Sequence, residues 1–251
     1  MRVAAAAVGP DGLLTPAHLV RLFQEAAMQN TIRLKISSPE LMERARISWV
    51  LRRQFITVHR WPRLGETGQV ITAPTGFARK LLTYRDFHLV DAAGQTIVSA
   101  VSEWALISVS SRRLQLIPPN IAALESDLPP ASAHLDRPVH KIPSPESPWA
   151  DWQRKDFQIP YYQLDFNDHL TNSAYLDLML ESLPHGFRMT YLPTQIDIAY
   201  RQEARYGETV SSFYGQDTRI KAGPPNLLHE LKRGPRSLAA MRTEWRRKAT
   251  V

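Results

Sequence analysis

Cysteine is missing from this sequence altogether, which excludes disulfides, thiolate metal sites and a thiol nucleophile. Glycine is sparse, at 11 of 251 residues. The glycine-rich phosphate loop G-x-x-x-x-G-K-[ST] and the dinucleotide loop G-x-G-x-x-G are both absent. So are the G-x-S-x-G elbow and the H-E-x-x-H pair, which removes the main support for serine-hydrolase and zincin chemistry. No apolar run approaches the ~20 residues that a membrane-crossing helix needs. The opening Met1–Pro10 stretch is rich in alanine but short, and Asp11 follows at once. It reads as a first strand or a frayed terminus rather than a signal peptide. With no targeting segment in view, the expected compartment is the cytoplasm.

What is present is globular in composition, with 43% hydrophobic and 22% charged residues. The formal charge is +7, carried far more by arginine than by lysine. A basic balance favours an acidic partner. The cations are scattered in short groups, Arg52-Arg53, Arg112-Arg113 and Arg246-Arg247-Lys248, with no zinc-finger spacing and no RNA-recognition aromatic motif. Charge alone points equally to a solvated surface and to docking of an acidic protein, and gives little for nucleic acid.

Prolines 118, 119, 129, 130, 138, 143, 145 and 148 crowd one segment of the chain. That density prevents a continuous helix or a central strand and reads as a linker. The expected organisation is an N-terminal domain over 1–119, a proline-rich linker over 120–150 and a C-terminal domain over 151–251. The two halves repeat weakly. Leu14-Thr15, Leu19, Leu22 and Glu25 answer Leu170-Thr171, Tyr175, Leu178 and Glu181 at one offset, and Gly65-Glu66-Thr67 answers Gly207-Glu208-Thr209 at another. A short helix at Ser37-Ser38-Pro39-Glu40-Leu41 accounts for the difference.

In the first half, Thr15-Pro16 opens a helix whose Leu19, Leu22, Phe23, Ala26 and Ala27 share one face. Strands are expected at Ser48–Val58, Gln69–Phe77, Leu81–Val90 and Thr96–Val109, the last two joined by a turn at Asp91–Gly94. In the second half, a helix over Asn172–Leu183 stopped by Pro184 precedes strands at Gln195–Gln202, Thr209–Thr218, Leu227–Lys232 and Leu238–Arg246. One helix followed by antiparallel strands, twice over, is an α+β arrangement. It is the pattern of a tandem double hotdog, in which each antiparallel sheet wraps around a long central helix.

The polar cluster Asp165-Phe166-Asn167-Asp168-His169 precedes the second helix. In an extended segment Asp165, Asn167 and His169 share one face. A carboxylate, an amide and an imidazole can then activate water or hold a carbonyl, and a helix N-terminus just behind them favours a developing oxyanion. Singly, His169 reads as an ordinary histidine and Asn167 as a turn or cap residue. Glu203, expected at a strand end, reads alone as a solvated carboxylate, yet a second carboxylate is what water-mediated acyl hydrolysis would use. The first half has Trp61 at the position answering Glu203 and no Asp-x-Asn-x-His before its helix. One half is built for chemistry and the other for apolar contact, with Trp49 and Trp61 as candidates to line an acyl-chain pocket.

The motif Asp165-x-Asn167-x-His169, followed by Asn172, Tyr175 and Glu181-Ser182, resembles the catalytic segment and helix of the acyl-acyl carrier protein thioesterases of plant plastids and bacteria. Trp49-Val50 through Arg60-Trp61-Pro62 and Gly65 resembles that family's early strand pair. Arg112-Arg113-Leu114 with Ile117-Pro118 resembles the end of its first hotdog, and Arg242-Thr243-Glu244-Trp245-Arg246 its final strand. The resemblance implies hydrolysis of a fatty acyl thioester on an acidic acyl carrier protein, with no cofactor and no metal. It implies a catalytic set of Asp165, Asn167, His169 and Glu203, with Asp165 as nucleophile or general base. Plant members carry a cysteine after that glutamate. Ala204 stands here, so a cysteine mechanism is impossible. An acyl-CoA thioesterase of the same fold and a non-catalytic acyl-binding hotdog protein are the alternatives. No nucleic acid or membrane partner is expected, and pairing into a homodimer stays open.

Overall fold

The computed structural model of the chain describes residues 1–143, 152–220 and 223–248. The chain divides into two compact units, residues 1–7 with 21–137 and residues 8–20 with 138–251. Helix α1 (Pro16–Arg33) starts where Thr15-Pro16 predicts, the Thr15 hydroxyl accepting the His18 N–H at 3.3 Å as an N-cap. Helix α2 (Ser38–Ala45) is opened by a capping box in which the Glu40 carboxylate accepts both the N–H and the hydroxyl of Ser37. Those bonds hold the Glu40 carboxyl below its ordinary range.

Four long strands follow: β1 (Ile47–Val58), β2 (Gly68–Ala78), β3 (Leu82–Asp91) and β4 (Thr96–Ser108). They pair antiparallel in the order β2-β3-β4-β1, with the two-residue β5 (Leu114–Gln115) on β4. The face they bury meets α1. Phe23 of the helix stacks on Phe87 of β3 at 4.9 Å, and both rings are buried. Each such burial stabilises by roughly 2–3 kcal/mol.

Prolines 118 and 119 open a short helix α3 (Pro119–Ala122) that buries Ile121 in a cluster with Ile36, Leu41, Ile47, Leu106 and Ile117. The proline-rich stretch beyond it is fastened to the first unit as far as Arg137. The Leu135 N–H donates to Asp86 at 2.8 Å, and the Arg137 guanidinium lies over the Tyr84 ring and donates to the Thr75 carbonyl. The end of the expected linker, including prolines 145 and 148 and the boundary at 150, lies outside the described residues.

The second unit contains β6 (Gln153–Gln158), α4 (Asn172–Glu181), α5 (His185–Thr190), β7 (Tyr191–Tyr200), β8 (Thr209–Gln216), β9 (Asn226–Arg233) and β10 (Arg236–Arg247). Its strands run antiparallel in the order β7-β10-β9-β8-β6. Helix α4 is buried along most of its length and packs on β8 and β9. Each unit thus lays an antiparallel sheet on a buried helix, the arrangement expected of a hotdog.

Three expectations are corrected. The N-terminus is neither a regular first strand nor frayed: the Met1 ammonium donates to the Gly68 carbonyl at 2.7 Å, Arg2 bridges Thr67, and Val3 is buried. Pro184 ends α4 two residues earlier than expected and then serves as the N-cap residue of α5, whose Phe187 packs on Tyr191 and Trp245. Strand β6 was not foreseen, because it is an exposed edge strand with charged residues in place of an apolar alternation.

The internal repeat goes further than the sequence matches. Gly65 and Gly207 both take left-handed backbone, at φ 80° and 76°. Behind each, a glutamate accepts the N–H of the arginine three residues earlier, Glu66 from Arg63 at 2.9 Å and Glu208 from Arg205 at 3.0 Å. Ser102-Glu103-Trp104 and Thr243-Glu244-Trp245 likewise match, each indole N–H donating to the hydroxyl two residues earlier at 2.7 Å.

Candidate active site

Asp165 to His169 form a tight turn, not an extended strand, and the shared-face reading of Asp165, Asn167 and His169 is overturned. Leu164 and Leu170 bridge each other across it. The Asp165 N–H donates to the His169 carbonyl at 2.7 Å, and Asp168 closes the turn at φ 61°. The reason lies in the side chains: one Asp165 carboxylate oxygen, Oδ1, accepts the N–H groups of Asn167 at 2.8 Å and His169 at 3.2 Å. An aspartate that captures the backbone two residues on favours a turn over a strand.

This capture divides the work of the carboxylate. Oδ1 shapes the turn, while Oδ2 makes no hydrogen bond among the described residues. The Asn167 side-chain amide is likewise uncommitted among the described residues, so one turn carries a carboxylate oxygen, an amide donor and an imidazole without a strand.

Glu203 arrives from another direction. It lies on the loop after β7, not at the strand end expected, and its Oε2 stands 3.3 Å from His169 Nε2. The Leu170 N–H donates to the Ala204 carbonyl at 2.8 Å, joining the loop to the turn. The Tyr175 hydroxyl, reaching up from α4, donates to the Gln202 carbonyl at 2.8 Å. Arg201 and Gln202 N–H groups both donate to the Leu238 carbonyl, and the Gly207 N–H to that of Ile159. The Ala204 methyl is fully buried among these anchors. Burial pushes the hydroxyls of Tyr175 and Tyr200 well above the ordinary tyrosine range, so both stay neutral and serve as anchors rather than bases.

Arg205 was not foreseen. Its guanidinium Nη2 lies 3.2 Å from His169 Nε2 and its Nη1 3.9 Å from Asp168 Oδ2. The signal was available in the sequence, since Arg63-x-Gly65-Glu66 and Arg205-x-Gly207-Glu208 repeat one pattern. His169 and Glu203 are partly exposed, at 15% and 37%, which suits groups that must meet a substrate.

Of the other predicted residues, Trp49 and Trp61 belong to the first unit. The Trp49 indole N–H donates to the Ile36 carbonyl at 2.8 Å and its ring packs against the Ile36 cluster, while Trp61 is buried at 4% exposure. Among the described residues no helix is long and apolar enough to cross a membrane, and no group of histidine and carboxylate side chains has the arrangement of a metal site.

Comparison with known proteins supplies the family. The acyl-ACP thioesterase N-terminal domain model matches residues 1–124 and the C-terminal domain model residues 146–247. A chloroplastic acyl-[acyl-carrier-protein] hydrolase of Cuphea viscosissima is 28% identical over 96% of this chain, and a chloroplastic palmitoyl-acyl carrier protein thioesterase of Cuphea hookeriana 27% identical over 97%. This chain spans 60% of the length of each. The fold is shared with the 12:0-ACP thioesterase from Umbellularia californica, with a TM-score of 0.87 and 21% identity over 99% of this chain and 92% of that one. An acyl-ACP thioesterase from Bacteroides thetaiotaomicron gives a TM-score of 0.82 and 21% identity over 98% of this chain and 96% of that one. With both domain models matched in order along its length, the chain belongs to the acyl-ACP thioesterase family.

Proposed function

We propose that this protein hydrolyses fatty acyl thioesters carried on acyl carrier protein, releasing free fatty acid and the carrier thiol. The observation that carries the reading is the meeting of His169 and Glu203 at 3.3 Å beside the turn whose Asp165 keeps one carboxylate oxygen uncommitted. In the reaction, a carboxylate takes a proton from water, the water oxygen bonds to the acyl carbon, the carbon–sulfur bond breaks and the proton passes to the departing thiolate. Asp165 acts as that base, or first as a nucleophile forming an acyl-aspartate that water then cleaves. Asn167 and His169 orient Asp165 and the thioester carbonyl, and Glu203 positions water. The first unit takes the acyl chain, with Trp49 and Trp61 as part of its apolar wall. A net charge of +7 supports docking of an acidic carrier, which salt would weaken.

The test is hydrolysis of acyl-carrier thioesters over a series of chain lengths by wild type, Asp165→Ala and Glu203→Ala. Loss of general acid–base assistance lowers kcat by about 10²- to 10⁴-fold in Asp165→Ala. Full turnover in that variant would remove Asp165 from the site. Equal and salt-independent activity on carrier and coenzyme A thioesters would favour the acyl-CoA reading. A cytoplasmic location belongs to the proposal and is checked by cell fractionation.

A further inference from the structure

Two side chains reach for one nitrogen. Arg205 Nη2 lies 3.2 Å from His169 Nε2, and Glu203 Oε2 lies 3.3 Å from the same atom. A guanidinium has only protons to give, and an ionised carboxylate only lone pairs. Arg205 therefore bonds Nε2 when that nitrogen carries no proton, and Glu203 bonds it when it does. The two bonds exclude each other, so the arrangement is a choice between two proton placements.

We infer that Arg205 is a positioning residue: by donating to Nε2 it keeps His169 neutral, with its proton on Nδ1, and keeps the imidazole proton away from Glu203 Oε2. Glu203 then retains the lone pair with which it holds water. This rests on the reading of Asp165, His169 and Glu203 as the reacting site. Without Arg205, the Nε2–H···Glu203 bond forms, the imidazolium becomes easier to make beside a carboxylate, and the Oε2 lone pair that faces the imidazole is taken.

Glu203 favours the imidazolium and Arg205 opposes it. On the turn itself, Asp165 commits only Oδ1 to backbone N–H groups, so its carboxylate charge also favours the imidazolium, and Asp168 is 68% exposed and lies 3.9 Å from Arg205. Glu208, behind the loop, is paired with Arg233. The backbone role of Arg205 is separable from its side chain, because its N–H donates to Glu208 whatever side chain it carries.

The experiment follows the His169 imidazole by NMR titration in the full chain and records kcat against pH on one acyl-carrier thioester. Wild type is compared with Arg205→Ala, Arg205→Lys and Asp168→Asn. Removing the cation stabilises the imidazolium, so Arg205→Ala raises the His169 pKa by about half a unit to one unit. The acidic limb of kcat moves to higher pH by the same amount. At neutral pH kcat falls about 3- to 10-fold with KM changed less than about two-fold, the split expected when proton placement rather than binding is lost. Arg205→Lys, which keeps charge and a donor, recovers most of both effects, and Asp168→Asn leaves the titration in place. An unchanged His169 titration in Arg205→Ala overturns the inference. So does an equal shift in Asp168→Asn, which would mark a distorted turn instead of a lost bond. Should Asp165→Ala keep full turnover, the proposed reaction site fails, while the titration still decides whether Arg205 governs His169.

Discussion

The turn that carries the candidate site has a counterpart before the first helix. Val8 and Leu14 bridge each other as Leu164 and Leu170 do. The Gly9 N–H donates to the Leu13 carbonyl at 2.9 Å, as Asp165 does to His169 at 2.7 Å, and Gly12 at φ 70° answers Asp168 at φ 61°. The backbone is one device used twice; the side chains differ. Where the second turn has Asp165, Asn167 and His169, the first has Gly9, Asp11 and Leu13. The first turn has a carboxylate too, and Asp11 Oδ1 accepts the Leu13 N–H at 3.2 Å. Its other oxygen, however, is held by the Lys248 ammonium at 2.6 Å. A shaped turn with a carboxylate is therefore not enough for chemistry. The second turn differs in keeping an oxygen uncommitted and in placing an imidazole against Glu203 and Arg205.

The strongest way to break this comparison is to give the second turn two of the first one's residues, at the positions of Gly9 and Leu13. Asp165→Gly with His169→Leu removes the carboxylate and the imidazole while the backbone bonds that define the turn remain available. Turnover is expected to drop by about 10²- to 10⁴-fold, with thermal unfolding close to wild type. Collapse of the fold in this variant would mean that the side chains hold the turn, against the example of Gly9 and Leu13.

A smaller effect is expected where the two cores differ. Phe23 and Phe87 stack in the first unit; at the answering positions of the second stand Met179 and His229. His229 is buried beside the Met179 backbone, and burial pushes its pKa down to about 3. The Thr243 hydroxyl accepts the Trp245 indole N–H at 2.7 Å and shares a hydrogen bond with His229 Nε2 at 2.9 Å. Between the folded value of about 3 and the ordinary 6.5, the unfolded chain binds the proton and the folded one does not. Stability contributed by neutral His229 is fully present above the ordinary value and falls with acidification through that window, by on the order of several kcal/mol in all. Chemical denaturation at stepped pH should show this slope in wild type and lose much of it in His229→Phe and His229→Gln. An unchanged slope in both would assign acid sensitivity to other groups.

The strands, both long helices and the repeat were legible because each rests on local periodicity or on turn residues at fixed places, as with the left-handed Gly65 and Gly207. The polar edge strand β6 was not, since its partner β8 and not its own pattern makes it a strand. The Asp165 turn is hidden for a related reason: alternation and an aspartate-centred turn place the same residue types at the same spacing, and only the backbone bonds to Oδ1 distinguish them. Glu203 could be named through family resemblance, but its meeting with His169 depends on the Leu170–Ala204 and Tyr175–Gln202 bonds between separate segments. Such pairings leave no trace in local pattern. Arg205 has no mark of its own among the many arginines of this chain, and the Gly-Glu-Thr repeat points to it only when extended back to Arg63 and Arg205.

The smallest expected effect concerns the residue that closes each turn. Asp168 holds a left-handed φ of 61° where the first turn has Gly12. Aspartate tolerates that region better than most residues, so Asp168→Gly gains little in the folded state. The substitution also frees the unfolded chain, which costs about 0.4–1 kcal/mol. The two terms oppose each other, and the net change in unfolding free energy should stay within about 0.5 kcal/mol. A stabilisation above about 1 kcal/mol would show strain imposed on the second turn by the residues it carries, of the kind that active sites retain against their own stability. It would separate the two turns by conformational energy as well as by chemistry. If the change stays small, the difference between them is confined to the side chains at the positions of Asp165, Asn167 and His169.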